Sequence, residues 1–208
     1  IRRQRQMCIR DSLVAGGTGL VGSHVINSLS KLNGSQIILV RSFNSEIPNN
    51  GELKIINFDD LKYDKVQLRS NIDHVYLCLG KKLLTYELGY MQHASRESFK
   101  LIDYEYPLLI AKLAFKNGAR SISLVSAVGA QEGSFNYYFH IKGKLENEIK
   151  KIGYENICFA RPGHLLGQRK DFRGYEIPIL EAGLRFAAPF MRGPIKNFKQ
   201  VEAKQVAN

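Results

Sequence analysis

Short apolar runs alternate along the chain with longer stretches of helical periodicity, and that alternation predicts a parallel α/β fold. Leu13–Ala15 closes a buried strand, and a glycine-rich turn leads from it into a helix from about Leu20 to Leu32, which Asn33 and Gly34 stop. Gln36–Val40 is a second strand, rich in β-branched residues. After a loop at Phe43–Gly51, Leu53–Phe58 reads as a third strand and Leu61–Ser70 as a short helix. His74–Leu79 is a fourth strand, ending at Gly80. A long helix is expected from about Ser95 to Asn117, with Pro107 kinking or breaking it and Gly118 ending it. Ser121–Ser126 is a fifth strand, Asn136 to Ile152 a helix closed by Gly153, and Ile157–Ala160 a sixth strand. From Leu165 onward the pattern weakens. A helix is expected near Ile177–Phe186, and Ala203–Asn208 opens another with no stop signal, as in a chain cut short.

Six strands separated by helices imply right-handed crossovers and a Rossmann-type doubly wound parallel sheet with helices on both faces. Ligands of such sheets sit beyond the C-terminal ends of the strands, which places Gly16–Gly22, Arg41, Gly80, Ser126 and Pro162 along one edge. Residues 13–208 read as one such domain. Residues 1–12 read as a non-native or disordered leader, because they lack the apolar core of a secretory signal and RQRQMCIRDS resembles translated adaptor sequence.

Composition changes this picture little. The chain of 208 residues is 44% hydrophobic and 24% charged, which suits a globular domain with a full core. No apolar run approaches the roughly 20 residues that span a bilayer. Cys8, Cys78 and Cys158 are far apart and read as reduced, packed thiols of a cytoplasmic protein, and the histidine spacing predicts no metal site. The formal net charge of +11 suits an anionic partner such as a phosphorylated cofactor. No aromatic–basic motif supports nucleic acid.

Three signals carry chemistry. In Gly16-Gly17-Thr18-Gly19-Leu20-Val21-Gly22, Gly16 permits a tight turn out of the strand, Gly19 lets the backbone approach a pyrophosphate, and Gly22 lets the helix pack closely. The helix N-terminus offers N–H groups and partial positive charge to the phosphates. At the end of the second strand, Arg41 stands where NAD-selective sites carry an acid, which favours NADP(H) over NAD(H), since guanidinium pairs well with a 2′-phosphate. Tyr138 and Lys142, at i and i+4, share a helical face, where an ammonium favours the phenolate and lowers the tyrosine pKa. Ser126 ends the fifth strand twelve residues earlier.

Together GGTGLVG (16–22), CLGKK (78–82), IDYEYP (102–107), LVSAVGA (124–130), the Tyr138/Lys142 pair and RPGHLLGQR (161–169) resemble the short-chain dehydrogenase/reductase superfamily. They look most like its atypical branch, the NAD(P)-binding Rossmann proteins related to the HIV Tat-interacting oxidoreductase-like protein. The resemblance implies an NADPH-binding oxidoreductase acting on a small carbonyl or alcohol, with Tyr138 as general acid/base, Lys142 holding the nicotinamide ribose, and Ser126 bonding the substrate oxygen. It puts Pro162 on the nicotinamide side, Asp59 or Asp60 near the adenine, and Leu79-Gly80 beneath the adenosine ribose. Two features depart from the family pattern: Asp103-Tyr104 replaces the usual catalytic asparagine, and CLGKK replaces a threonine-rich turn. They keep open the alternative of an NAD(P)H-binding regulatory or interaction module with little catalysis. A homo-oligomer through the fourth and fifth helices is compatible with the pattern.

Overall fold

The computed structural model describes residues 11–32, 34–41, 52–63, 65–68, 71–83, 85–163, 165–166 and 201–207. Six strands form one fully parallel sheet: β1 (Ser12–Ala15), β2 (Gln36–Val40), β3 (Glu52–Ile55), β4 (His74–Leu77), β5 (Ser121–Val125) and β6 (Asn156–Ala160). Their order is β3-β2-β1-β4-β5-β6, the doubly wound arrangement. In the central pairs Leu13 sits beside Ile37 and Val75, and Ala15 beside Leu39 and Leu77. These residues are almost wholly buried because helices cover both faces, which is why the central strands read as continuous apolar runs.

The two faces have separate cores. Val14, Ile38 and Val40 pack against Val21, Val25 and Ile26 of α1 (Leu20–Leu29) and Ala203 of the C-terminal helix. Leu13, Leu39, Val75, Leu77 and Leu124 face Ile110, Ala111 and Ala114, and Leu145 and Ile149, on the helices of the opposite layer. The successive helices after α1 are α2 (Thr85–Gly89), α3 (His93–Lys100), α4 (Tyr106–Lys116), α5 (Tyr137–Ile152) and α6 (Ala203–Ala207). A small parallel pair joins β7 (Leu165–Leu166) to β8 (Val201–Glu202), just before α6.

Several expectations need adjusting. β1 begins at Ser12, and the Asp11 carbonyl accepts from Asp73 N, so the last two residues of the expected leader join the sheet region; residues 1–10 lie outside the described residues. β3 ends at Ile55, and Phe58–Tyr63 forms a 3₁₀ segment in place of the strand end and the helix expected at 61–70. α1 stops at Leu29 and β4 at Leu77, both short of the expected ends. The short helix α2 and the β7/β8 pair have no clear periodicity in the sequence. The helix expected at 177–186 lies outside the described residues.

The long helix expected at 95–117 is three segments. α3 passes through a π-helical turn, Leu101–Glu105, into α4. Pro107 has no N–H to offer residue 103, so the ladder loses a bond there. The turn widens instead, and Tyr106 N donates to the Leu101 carbonyl five residues back. The widened turn carries Asp103, which is 2% exposed.

α5 is bounded as its sequence suggests. Asn136 Oδ1 accepts from Tyr138 N at 2.9 Å, capping the first turn, and Gly153 ends the helix in the left-handed region at φ 106°. Lys150 and Lys151 lie in its last turn, where cations complement the helix dipole.

Candidate functional site

The turn between β1 and α1 is shaped by what it lacks. Gly16 has φ +85°, and a Cβ there would lie 2.6 Å from the Cys78 carbonyl group. A Cβ on Gly22 would lie 2.2 Å from the Gly16 carbonyl oxygen, so the helix is pressed directly onto the turn. Gly19, in extended geometry, takes the N-cap position of α1, and no side chain caps the helix. The N–H groups that open α1 are therefore left to the backbone turn and to whatever lies beyond it. Val21 is buried in the core, and its neighbour Leu20 is half-buried against the same cluster.

A cleft opens in front of this turn. Gly16, Thr18, Gly19, Arg41, Leu79 and Gly80 all line it. Phe58, Ile102 and Tyr106 complete its wall and are not visible as site residues in the sequence. Asp59 stands beside it, its Oδ1 accepting from Tyr106 Oη at 2.9 Å. Burial, that bond and the Asp59 charge push the Tyr106 hydroxyl up to about 12. Burial likewise pushes the Cys78 thiol up to about 12, so it stays protonated at neutral pH.

The second group of residues lies on α5 and the elements around it. Lys142 is buried, and its Nζ lies 2.8 Å from Asp103 Oδ1, with side chains 6% and 2% exposed. Asp103 Oδ2 accepts from Lys81 N at 2.7 Å, so one carboxylate joins the π turn, α5 and the turn after β4. The Lys81 ammonium donates to Ser98 Oγ at 2.8 Å. Gly80 links the two groups: a Cβ placed on it would come within 3.6 Å of Asp103 Oδ1. One helical turn past Lys142, buried Glu146 accepts from both Arg161 Nε, at 2.9 Å, and Arg161 Nη2. This fork anchors α5 to the chain leaving β6. There Pro162 is buried and its carbonyl accepts from Val128 N at 3.0 Å.

Tyr138 packs its ring on Phe99, with centroids 5.5 Å apart, in a small cluster with Met91 and Ile141. Its hydroxyl pKa is raised, chiefly by burial; Lys142 lowers it and Asp103 raises it again. The expectation of a lysine-lowered tyrosine pKa is therefore corrected. Lys142 acts in the anticipated direction, but desolvation and the carboxylate together outweigh it. The Lys142 pKa is itself raised: burial acts against the charge, and Asp103, Tyr138 and Glu146 together overcome it. Ser126, 4% exposed at the end of β5, has its backbone N–H bonded to Ala160 O, while its hydroxyl has no partner among the described residues. Asp103, Lys81, Glu146 and Arg161 were missed as supports of Lys142. Only the replacement of an expected asparagine by Asp103 gave any signal.

No family model matches the chain. It is 31% identical over 167 residues to the Candida albicans protein named Protein FMP52, mitochondrial, across 78% of this chain and 70% of that protein. The chain belongs to the FMP52 family. Within it, the Debaryomyces hansenii protein of the same name is 30% identical over 173 residues, covering 82% of this chain and 73% of its own. Rat Protein HTATIP2 is 24% identical over 178 residues, covering 83% and 70%. The presence of HTATIP2 among the relatives agrees with the resemblance that the motifs carry to the HIV Tat-interacting oxidoreductase-like proteins.

Among solved structures it resembles the 3-oxoacyl-[acyl-carrier protein] reductase from Brucella melitensis in complex with NAD. The TM-score is 0.68 at 14% identity, over 95% of this chain and 87% of that one. UDP-glucose 4-epimerase from Thermotoga maritima with UDP-glucose gives 0.61 at 18%, over 84% of this chain and 63% of the epimerase, so the chain spans less than two thirds of that enzyme. These likenesses establish the Rossmann fold of reductases and epimerases.

The family also corrects the expected cytoplasmic location, because the FMP52 relatives are named as mitochondrial proteins. The expectation of packed thiols is also corrected, since Cys158 is exposed and Cys78 half-buried; free thiols do not distinguish one reducing compartment from another, and an organelle address is read by receptors rather than from the composition of the folded domain. No helix among the described residues is long and apolar enough to cross a membrane.

Proposed function

We propose that this chain is a mitochondrial NADPH-dependent oxidoreductase that transfers hydride to or from a small carbonyl or alcohol substrate. The observation that carries the proposal is the buried Ser126 hydroxyl at the C-terminal end of β5, which has no hydrogen-bond partner among the described residues. Leaving such a group unmet costs about 1–3 kcal/mol, which an oxygen of a bound molecule recovers. The mitochondrial placement follows the names of the FMP52 relatives.

The residues fit a dinucleotide. The uncapped start of α1 and the glycine-rich turn at Gly16–Gly22 suit a pyrophosphate. Arg41, exposed on the cleft wall, is the group for a 2′-phosphate, with Asp59 toward the adenine and Leu79-Gly80 beneath its ribose. Pro162 lies on the nicotinamide side. The bound nicotinamide supplies the hydride. Ser126 holds the substrate oxygen, and the Tyr138 hydroxyl gives that oxygen its proton on reduction and takes it back on oxidation. Lys142, kept charged by Asp103, holds the nicotinamide ribose.

Consumption of NADPH against a panel of aldehydes and ketones tests this reading. Turnover that disappears in Tyr138→Phe while NADPH affinity persists supports it. Tight NADPH binding with no turnover on any carbonyl leaves a binding module instead. The cofactor choice is tested separately: NADPH should bind about tenfold or more tightly than NADH, and Arg41→Ala should erase the difference. Equal affinities in the wild type would overturn it.

A further inference from the structure

Lys81, in the turn where CLGKK departs from the resembled family, has no part in the hydride transfer proposed above. It stands between the two groups of site residues. Gly80 of the cleft precedes it, and Leu83, two residues on, packs in the cluster that holds Tyr138. β4 and β5 pair in parallel with Leu77 beside Leu124, so the turn after β4 leaves the sheet next to the strand end that carries Ser126. The main chain of Lys81 is fixed by Asp103, whose Oδ2 accepts from Lys81 N at 2.7 Å. Its side chain lies along α3, where the ammonium donates to Ser98 Oγ at 2.8 Å and to the Ser95 carbonyl at 3.4 Å. Phe99, the next residue after Ser98, carries the ring on which Tyr138 packs. α4 runs back from α3 to the start of β5, so α3 and this ammonium stand beyond the C-terminal edge of the sheet, where ligands of such folds bind.

The charge at this place is not balanced. Lys142 meets the carboxylate of Asp103, Lys100 that of Glu105, and Arg161 that of Glu146. Lys81 is half-buried and pairs with no carboxylate among the described residues; its two acceptors are a hydroxyl and a carbonyl, both neutral. Neutral oxygens satisfy the hydrogen bonds of an ammonium but leave its charge, and a half-buried cation has lost part of the water that would screen it. An ammonium has three donors, and two are engaged here, so one is left for a ligand. An oxyanion supplies the missing charge and the acceptor together, in a bond roughly twice as strong as one between neutral groups.

We propose that Lys81 binds an oxyanion of the substrate, a carboxylate or a phosphate ester, so that the carbonyl compound taken by this site is an acid rather than a neutral aldehyde or ketone. The proposal rests on the Ser126–Tyr138–Lys142 reading and gives its substrate a chemical class. The carbonyl end lies at Ser126 and Tyr138, and the acid end reaches the wall formed by α3. Lys81 moves no proton and no hydride. It selects and orients, and its contribution is to affinity.

The test is calorimetry on the full chain with oxidised NADP present, so that no hydride can pass to a carbonyl. The probes are levulinate and its homologues longer by one and two methylene groups, each against its methyl ester, and glyceraldehyde phosphate against glyceraldehyde. At least one acid should bind about tenfold or more tightly than its neutral counterpart. Lys81→Met should abolish that preference, and Lys81→Arg should retain it. If Lys81→Met does not fold, Lys81→Gln carries the same comparison. No preference for any acid in the wild type overturns the proposal, and so does a preference that survives the loss of the ammonium. A preference that survives while NADPH affinity falls about tenfold assigns Lys81 to the phosphates of the cofactor and overturns the substrate assignment. The binding needs no turnover, so a chain that selects acids through Lys81 and reduces no carbonyl refutes the proposed reaction and leaves the oxyanion site standing.

Discussion

Around Gly16–Gly22 the chain makes a surface by omitting side chains; around Lys142 it makes one by burying charges. The first region is held by the backbone. Gly22 meets the Gly16 carbonyl with no room for a methyl group, and the uncapped helix start is left facing the cleft. The second region depends on partners brought from separate parts of the chain: Asp103 from the π turn, Lys81 from the turn after β4, Arg161 from the end of β6. The difference teaches that one region fails through overpacking and the other through an uncompensated charge.

The largest effect expected is at the charged region. Lys142→Met leaves Asp103 buried without its cation and should cost about 3–5 kcal/mol in urea unfolding. A loss below about 1 kcal/mol would mean that the pair is better solvated than its burial indicates. Next comes the backbone region, where Gly22→Ala drives a methyl group into the Gly16 carbonyl and should cost about 1–3 kcal/mol, with loss of dinucleotide binding by calorimetry. Binding kept at wild-type affinity would show that the turn does not touch the ligand. Smaller again is Asn136→Ala, which removes the cap of α5 and should cost about 1 kcal/mol of thermal stability while leaving the Gly16–Gly22 turn unaffected.

The subtlest comparison is with pH. Lys142 and Tyr138 both have pKa values raised by folding. Their contribution to stability is therefore complete below the unfolded values of about 10 and is lost as pH rises through the higher folded ones. Wild-type stability should fall more steeply above pH 10 than that of Lys142→Met/Tyr138→Phe, as measured by urea midpoints across that range. Parallel curves would show that the pair is not responsible.

The glycine turn was legible in the sequence because its constraint is local: a strand must turn tightly into a helix, and only residues without side chains allow it. The same holds for Asn136 and Gly153, which bound α5 by cap chemistry alone, and for Pro107, whose missing N–H announced a break but not its form. The Tyr138/Lys142 spacing was also legible, since an i, i+4 pair shares a helical face wherever the helix lies. The sign of the electrostatics between them was not. Spacing alone suggested a lowered tyrosine pKa, while burial and Asp103 reverse it.

Local periodicity and turn chemistry, then, determined the six strands of the main sheet, the layered α/β class and the position of the glycine turn, because each follows from residues that are neighbours in the chain. The tertiary structure alone decided which charges meet. Asp103 and Lys142 are 39 positions apart, and their 2.8 Å contact exists only because the π turn and α5 pack side by side over the sheet. Electrostatic energies depend on distance and burial, and neither is written in the order of the residues.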